Sequence, residues 1–246
     1  MGERSSKRKW IFRGVGAAVL LGVVGLVGIP YVYVHFINKP APRLSFARLD
    51  AEAAKTSETS APSAGVPSVP APGDSNGKWT VTEGSEVGYR VKEVISGQAT
   101  EGVGRSSTVE GTVTVAGGKL SSAEFSVDVA TLKSDSSRRD AQFTGRIMNA
   151  EEFPVASFTS QSTPDVALRA DGGVISATVD GLLVLHGAEK PVTFTVSLRK
   201  VGDAVQLQGS IPVTFADYEI DNPSLGPVKT GDSGEIEFLL TMKRAS

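Results

Sequence analysis

Groups able to move a proton near neutral pH are scarce in this sequence. It holds two histidines, His35 and His186, and no cysteine. A thiol nucleophile, a thiolate metal site, a lipid-modified N-terminal cysteine and disulfide staples are therefore excluded, and a multi-histidine metal centre lacks ligands. His35 falls in an apolar stretch near the N-terminus and is given no role. His186 stands between Leu185 and Gly187, where a strand runs into a tight turn. It can hydrogen-bond a ligand's polar group, or it can simply brace the turn through a backbone carbonyl. Arg139 and Asp140 offer paired charges at the mouth of the fold or, equally, a solvated helix surface, and Tyr218 offers a further polar contact. Asp217, Glu219 and Asp221 alternate, which on a strand sets three carboxylates on one face. Such a row can draw a hard cation such as calcium, but it is more often only solvated, and no metal site is assigned.

No nucleophile elbow, P-loop, His-Glu-x-x-His or dinucleotide fingerprint is present. Gly102-Val103-Gly104 lacks the third glycine and the helix that must follow it. Serines are so numerous that matching one to His186 and an aspartate carries no information. No catalytic residue and no cofactor is assigned, and the expectation is a protein that is not an enzyme. The formal net charge of -2 and pI near 5.8 supply no basic face for nucleic acid.

The elements that must position these groups begin with a span. From Gly14 to Ile37 there is no Asp, Glu, Lys or Arg. About 24 residues rising about 1.5 Å each cover roughly 36 Å, enough to cross a hydrocarbon core of about 30 Å with some tilt. Arg4, Lys7, Arg8, Lys9 and Arg13 precede it and only Lys39 and Arg43 follow closely. That bias places residues 1–13 in the cytoplasm and the C-terminal bulk outside the cytoplasmic membrane. The stretch is too long for a signal-peptide core, and the small-x-small pattern Ala51-Glu52-Ala53 lies far beyond it; an uncleaved single-pass anchor is expected. Gly22, Gly25 and Gly28 form a small-residue stripe through which two spans could pack as a homodimer, ordinary glycine tolerance being the plainer reading.

Residues 38–77 are rich in Pro, Ala, Ser, Thr and Gly, a composition that buries too little to offset its ordering entropy. A flexible linker is expected there, with Leu44, Phe46 and Leu49 able to form a short amphipathic turn on the membrane surface.

From Lys78 onward the signal is alternation with period two. Val192, Phe194, Val196 and Leu198 point one way and Thr193, Thr195 and Ser197 the other. The pattern recurs in Trp79/Val81, Val87/Tyr89/Val91, Val109/Val113/Val115, Phe125/Val127/Val129, Val205/Leu207/Ile211/Val213/Phe215 and Ile236/Phe238/Leu240/Met242. Turn chemistry separates these runs at Gly117-Gly118, Asp171-Gly172-Gly173, His186-Gly187 and Gly202-Asp203. About eight strands or more result, so residues 78–246 form one all-β domain that must close into a barrel or fold into a sandwich to cover its apolar face. Periodicity does not separate the two. Ser134 to Met148 interrupts the pattern: Asp135 or Ser136 can cap a short helix carrying Phe143, Ile147 and Met148 on one side.

Three strings then carry a family resemblance. The first is Arg138-Arg139-Asp140, followed by Ile147-Met148-Asn149, Phe153-Pro154 and Ala156-Ser157-Phe158-Thr159-Ser160. The second is Gly181-Leu182-Leu183-Val184-Leu185-His186-Gly187 with Lys190-Pro191-Val192. The third is Phe215-Ala216-Asp217-Tyr218-Glu219-Ile220. Together they resemble the YceI-like family over essentially all of Lys78 to Arg244. Gly84-Ser85 stands where family members commonly carry His-Ser, and Val184 where they carry Thr. The resemblance implies a lipocalin-like antiparallel β-barrel with one short helix, and an isoprenoid lipid as partner: a polyisoprenoid such as a quinone or polyprenyl carrier.

An eight-stranded barrel is just wide enough to be filled by its own side chains or to hold one slender ligand. The candidate lining is Val127, Val129, Phe143, Phe158, Leu183, Phe194, Val196, Leu207, Phe215 and Phe238, with Arg139, Asp140, His186 and Tyr218 as polar contacts. The rival readings are a filled domain acting through protein contacts in the envelope and an unrecognised hydrolase.

Overall fold

The computed structural model describes residues 40–57, 75–168 and 172–245. The expected span at 14–37 lies outside them, and among the described residues no helix is long and apolar enough to cross a membrane.

The strands are β1 (Gly77–Val81), β2 (Glu86–Ile95), β3 (Gln98–Ser106), β4 (Val109–Ala116), β5 (Lys119–Asp128), β6 (Lys133–Ser134), β7 (Val155–Ser160), β8 (Ile175–Leu185), β9 (Ala188–Val201), β10 (Ala204–Thr214) and β11 (Val228–Arg244). All pair antiparallel, in the order β1-β4-β5-β7-β8-β9-β10-β11-β2-β3-β6, with a further β1–β11 pairing. β1 and β2 are two halves of one bent strand along β11, and β4 and β3 are the matching halves of its neighbour. The sheet is therefore an eight-strand antiparallel barrel, closed where Trp79 meets Arg244 and Val81 meets Met242. The choice that alternation leaves open, sandwich or barrel, is decided by this closure, which pairs the first strand of the ring with the last.

The bend between β1 and β2 is pinned by Ser85. Its buried hydroxyl accepts from the Thr241 N–H (2.9 Å) and donates to the Thr82 carbonyl (2.7 Å). At the β8–β9 hairpin His186 (φ 51°) and Gly187 (φ 78°) both lie in the left-handed region, the twist a two-residue hairpin needs.

The two ends of the barrel differ. The terminal end carries the starts and finishes of the ring, Gly77 and Arg244, with the Gly117-Gly118 and Gly202-Asp203 turns. The helix end carries the Ser96-Gly97 and His186-Gly187 turns and a helix, α2 (Ser137–Gln142), running into a wide π turn at Phe143–Ile147. The Ser136 hydroxyl caps α2 by accepting from the Arg139 N–H (3.4 Å). Asp140 reaches back to accept from the Ser134 N–H (2.8 Å) and hydroxyl (2.6 Å). The expected helix thus exists, shorter than its polar segment.

Outside the ring lies a second helix, α1 (Phe46–Ser57). It corrects the reading of 38–77 as a flexible linker: residues 40–57 are a strap docked on the outer wall, and residues 58–74 are outside the described set. Leu44 and Phe46 are buried against Leu239, with Leu49 packed beside them, so these apolar groups meet protein instead of a lipid surface. The Phe46 N–H donates to Gln208 Oε1 (2.6 Å), the Arg199 guanidinium lies over the Phe46 ring (4.4 Å) and pairs with Asp50, and Arg48 pairs with Glu86 and Glu52. Ahead of the helix, Arg43 bridges Glu235 (2.6 Å) and Glu237 (2.8 Å), and the Ala41 carbonyl accepts from Arg90 Nη2 (2.8 Å).

Glu237 is the centre of this ionic patch, 2% exposed and paired with Arg43, Arg90 and Arg105. Burial alone would push its carboxyl up; the Arg90 hydrogen bond and the charges of Arg105 and Arg90 outweigh that and hold it below the usual carboxylate range.

A further correction concerns the acidic row. Phe215–Tyr218 is a 3₁₀ turn and Glu219 is left-handed (φ 56°), so Asp217, Glu219 and Asp221 do not share a strand face.

Candidate functional site

Inward-facing residues of the ring make a core of mostly apolar side chains that leaves space along its axis. Toward the terminal end the space measures 150 Å³; its walls include Trp79, Val113, Phe158, Leu183, Phe194, Val196, Leu207, Phe238 and Met242, and its polar lining among the described residues is Ser75, Ser126 and Ser157. Toward the helix end a second chamber of 120 Å³ is walled by Tyr89, Val129, Phe143, Met148, Phe215 and Ile220 with Glu93 and Arg139. Val87, Val127, Ala156 and Ile236 line both chambers, so the two adjoin along the barrel axis with these four side chains between them.

The lumen stays open because large rings lie along its wall. Phe238 covers Gly209 from the neighbouring strand, with a Cβ at that glycine 2.5 Å from the ring. Phe158 covers Gly181, Tyr89 covers Gly104 and Phe125 covers Gly111 in the same way. An inward glycine gives the ring a place to lie flat, and the ring shields the bare backbone, the exchange known from aromatic rescue of strand glycines. Phe158, Phe194 and Phe238 then meet edge to face, with centroids 5.2 and 5.8 Å apart.

Glu93 was not among the candidates, yet it reaches the helix-end chamber. It continues the inward series Val87, Tyr89, Val91 on β2, and it is buried. Its partner is Arg139 of α2 at 3.5 Å, itself paired with Asp135. Burial pushes the Glu93 carboxyl above its ordinary value despite the nearby Arg139 charge. Tyr89 stacks on Phe143 of the π turn (4.5 Å, 19°), and burial likewise pushes its phenol up.

Of the candidate lining, Phe158, Leu183, Phe194, Val196, Leu207 and Phe238 stand on the terminal-end chamber, Val129, Phe143 and Phe215 on the helix-end chamber, and Val127 on both. The polar candidates divide. Arg139 is on the chamber wall. Asp140 is occupied in holding the start of α2. His186 Nδ1 lies 3.1 Å from the Tyr218 carbonyl, and its ring meets Phe153 edge-on at 4.7 Å, so this pair ties the β8–β9 turn to the 3₁₀ turn. Asp140, His186 and Tyr218 line neither chamber.

Among solved structures, the fold is similar to that of a polyisoprenoid-binding domain from Saccharophagus degradans implicated in plant cell wall breakdown, with a TM-score of 0.54 at 16% identity, covering 68% of this chain and 98% of that one. It is also similar to BcnA of Burkholderia cenocepacia, with a TM-score of 0.50 at 24% identity, covering 64% and 95%. No curated protein matches the sequence. The model of the YceI-like domain matches residues 79–242, the whole ring from Trp79 to Met242, and the chain belongs to that family.

Proposed function

We propose that this chain is a lipid-binding protein that holds the hydrocarbon chain of a polyisoprenoid, such as a quinone or polyprenyl carrier, inside the barrel. The observation that carries this reading is the pair of adjoining, mostly apolar chambers inside the ring. A 150 Å³ cavity lined by aliphatic and aromatic groups stays dry and takes up a molecule the size of benzene. Each chamber therefore offers room on the order of one isoprene unit before any side chain moves, in a shape suited to a thin chain. The name of the Saccharophagus domain adds support from a relative of the same fold. Among the described residues, those lining the two chambers make no set of nucleophile, base and oxyanion donors, which favours binding over catalysis.

The ligand's polar end belongs at the helix end, because Glu93 and Arg139 are there and the other chamber offers serine hydroxyls alone. In the same reading, residues 14–37 anchor the chain in the cytoplasmic membrane and the barrel lies on the extracytoplasmic side, on the strength of the uncharged stretch and the basic cluster before it.

The test is extraction and mass spectrometry of lipid copurifying with the full chain, with titration of a fluorescent prenyl probe into the delipidated protein. A stoichiometric isoprenoid and saturable probe uptake are expected. Probe uptake no stronger than that of a Val196→Trp variant, whose lumen is filled, would overturn the proposal.

A further inference from the structure

The strap and the rim of the barrel beyond it share one outward face of β2, and the chain leading to the strap is short. Arg90, Lys92 and Val94 alternate outward on β2. Arg90 is covered by Ala41, whereas Lys92 and Val94 are exposed toward the helix-end tip. Opposite Val94 stands Lys229 of β11, also exposed, and Leu225, 43% exposed, bridges to Val228 beside it. Two aliphatic side chains and two ammonium groups thus crown this corner. The carboxylate facing Lys92, Glu101 of β3, is held by Arg90.

The strap runs from the Arg90 and Glu235 level at Ala41 and Arg43 to the Arg199 and Gln206 level at Asp50, away from the helix end. Its upstream side therefore faces the helix end. The uncharged stretch ends at Ile37, and from Ile37 to Ala41 the chain reaches at most about 14 Å. From Arg90 to the tip of β2 at Ile95 is roughly 17 Å. A polar layer of about 5–8 Å lies between hydrocarbon and water. With the strap docked and the chain entering it from its helix-end side, a reach this short brings the helix-end rim to the surface from which the chain emerges.

We infer that Lys92, Val94, Leu225 and Lys229 form a membrane-contact corner that rests on the anionic headgroups of the bilayer crossed by residues 14–37, so that the strap presents the helix-end chamber to the lipid. This rests on the anchored reading given above. The chemistry suits that partner: ammonium groups are drawn to an anionic surface, and the aliphatic tips enter the interface.

The chain's lack of cysteine allows a direct test. The full chain carrying Val94→Cys is labelled with an environment-sensitive fluorophore and reconstituted in phosphatidylcholine vesicles with and without phosphatidylglycerol; Val201→Cys, at the terminal end, is the comparison. Headgroup spin-labelled lipid is expected to quench the label at position 94 several-fold more than at 201, with the difference larger in anionic vesicles and reduced by Lys92→Glu with Lys229→Glu. Equal quenching at both positions, in chains that float with the vesicles, overturns the contact corner and leaves the anchor standing. Failure to float after alkaline extraction overturns the anchor and the corner together. Proteolytic resistance of each labelled variant, matched to the parent chain, reports that the barrel is folded.

Discussion

The ring of Phe238 occupies the place a side chain would take at Gly209, its Cζ 2.5 Å from where a Cβ would stand. The two residues face each other directly across β10 and β11, and the Thr195 carbonyl, 3.0 Å from the same point, closes off the other side. A methyl group at position 209 must therefore push the ring, and the open direction is the lumen. Gly209→Ala is expected to destabilise the barrel by about 1–3 kcal/mol, the usual cost of overpacking, and to weaken prenyl-probe uptake more than thermal stability alone accounts for. Calorimetry and probe titration on the same preparation check it. Unchanged uptake with a lowered melting temperature would separate ring position from lumen volume.

Glu237 offers a second test. Its carboxylate serves Arg43, Arg90 and Arg105 in a nearly dry patch. Glu237→Gln takes from Arg105 its carboxylate and leaves Arg43 with Glu235 and Arg90 with Glu101, and breaking a buried pair such as Arg90–Glu237 costs about 3–5 kcal/mol. The carboxyl is held below its ordinary value, so its stabilisation is full above the unfolded-state value and is lost as pH falls through the folded one. Urea midpoints measured from neutral pH into acid should converge for parent and variant at the acid end.

Glu93 behaves in the opposite sense. Its carboxyl is pushed up by burial, so its contribution is most favourable below the unfolded-state value, near 4.5, and is lost as pH rises through the folded one. Glu93→Gln is expected to raise the melting temperature at neutral pH and to leave it unchanged in acid. A variant less stable than the parent at neutral pH would mean that the Arg139 pairing outweighs desolvation.

The strap predicts how the domain must be produced. A protein beginning at Lys78 exposes Leu239, which is 1% exposed in the intact fold, and loses Leu44 and Phe46 as its cover. Burial of side chains of this size contributes about 1.5–3 kcal/mol each, offset in part by the ordering of the strap. The chain from Pro40 is expected to be more stable than the shorter one by about 1.5–3 kcal/mol, and Leu44→Ala with Phe46→Ala should remove most of the difference in denaturant titrations.

Much of the ring was legible in the sequence, because an inside and an outside impose a period of two on every strand. Val192 to Leu198 carry that period plainly and sit where it implies. Glu93 was hidden by its charge: the alternation that turns Tyr89 and Val91 inward turns Glu93 inward as well, but a carboxylate is ordinarily read as outward. The strap was hidden by averaging, since Leu44, Phe46 and Leu49 are thin among alanines and charges. Its trace lay in the partner, where Leu239 next to Leu240 breaks the alternation and puts a leucine on a face otherwise holding Glu235 and Glu237. Phe215 and Tyr218, both buried and three apart, carried the spacing of a 3₁₀ turn through a stretch whose acidic residues suggested a strand.

Closure by β1 against β11 has a kinetic meaning. The seam joins Trp79 to Arg244, so the first strand of the ring gains its second neighbour only when the last strand of the ring arrives. Contacts so distant along the chain slow folding, and until they form the nascent sheet offers two unsatisfied borders to any other unfinished copy. Assembly of this ring is therefore complete only when β11 meets β1, and its vulnerable interval is the one that precedes the zipping of that seam.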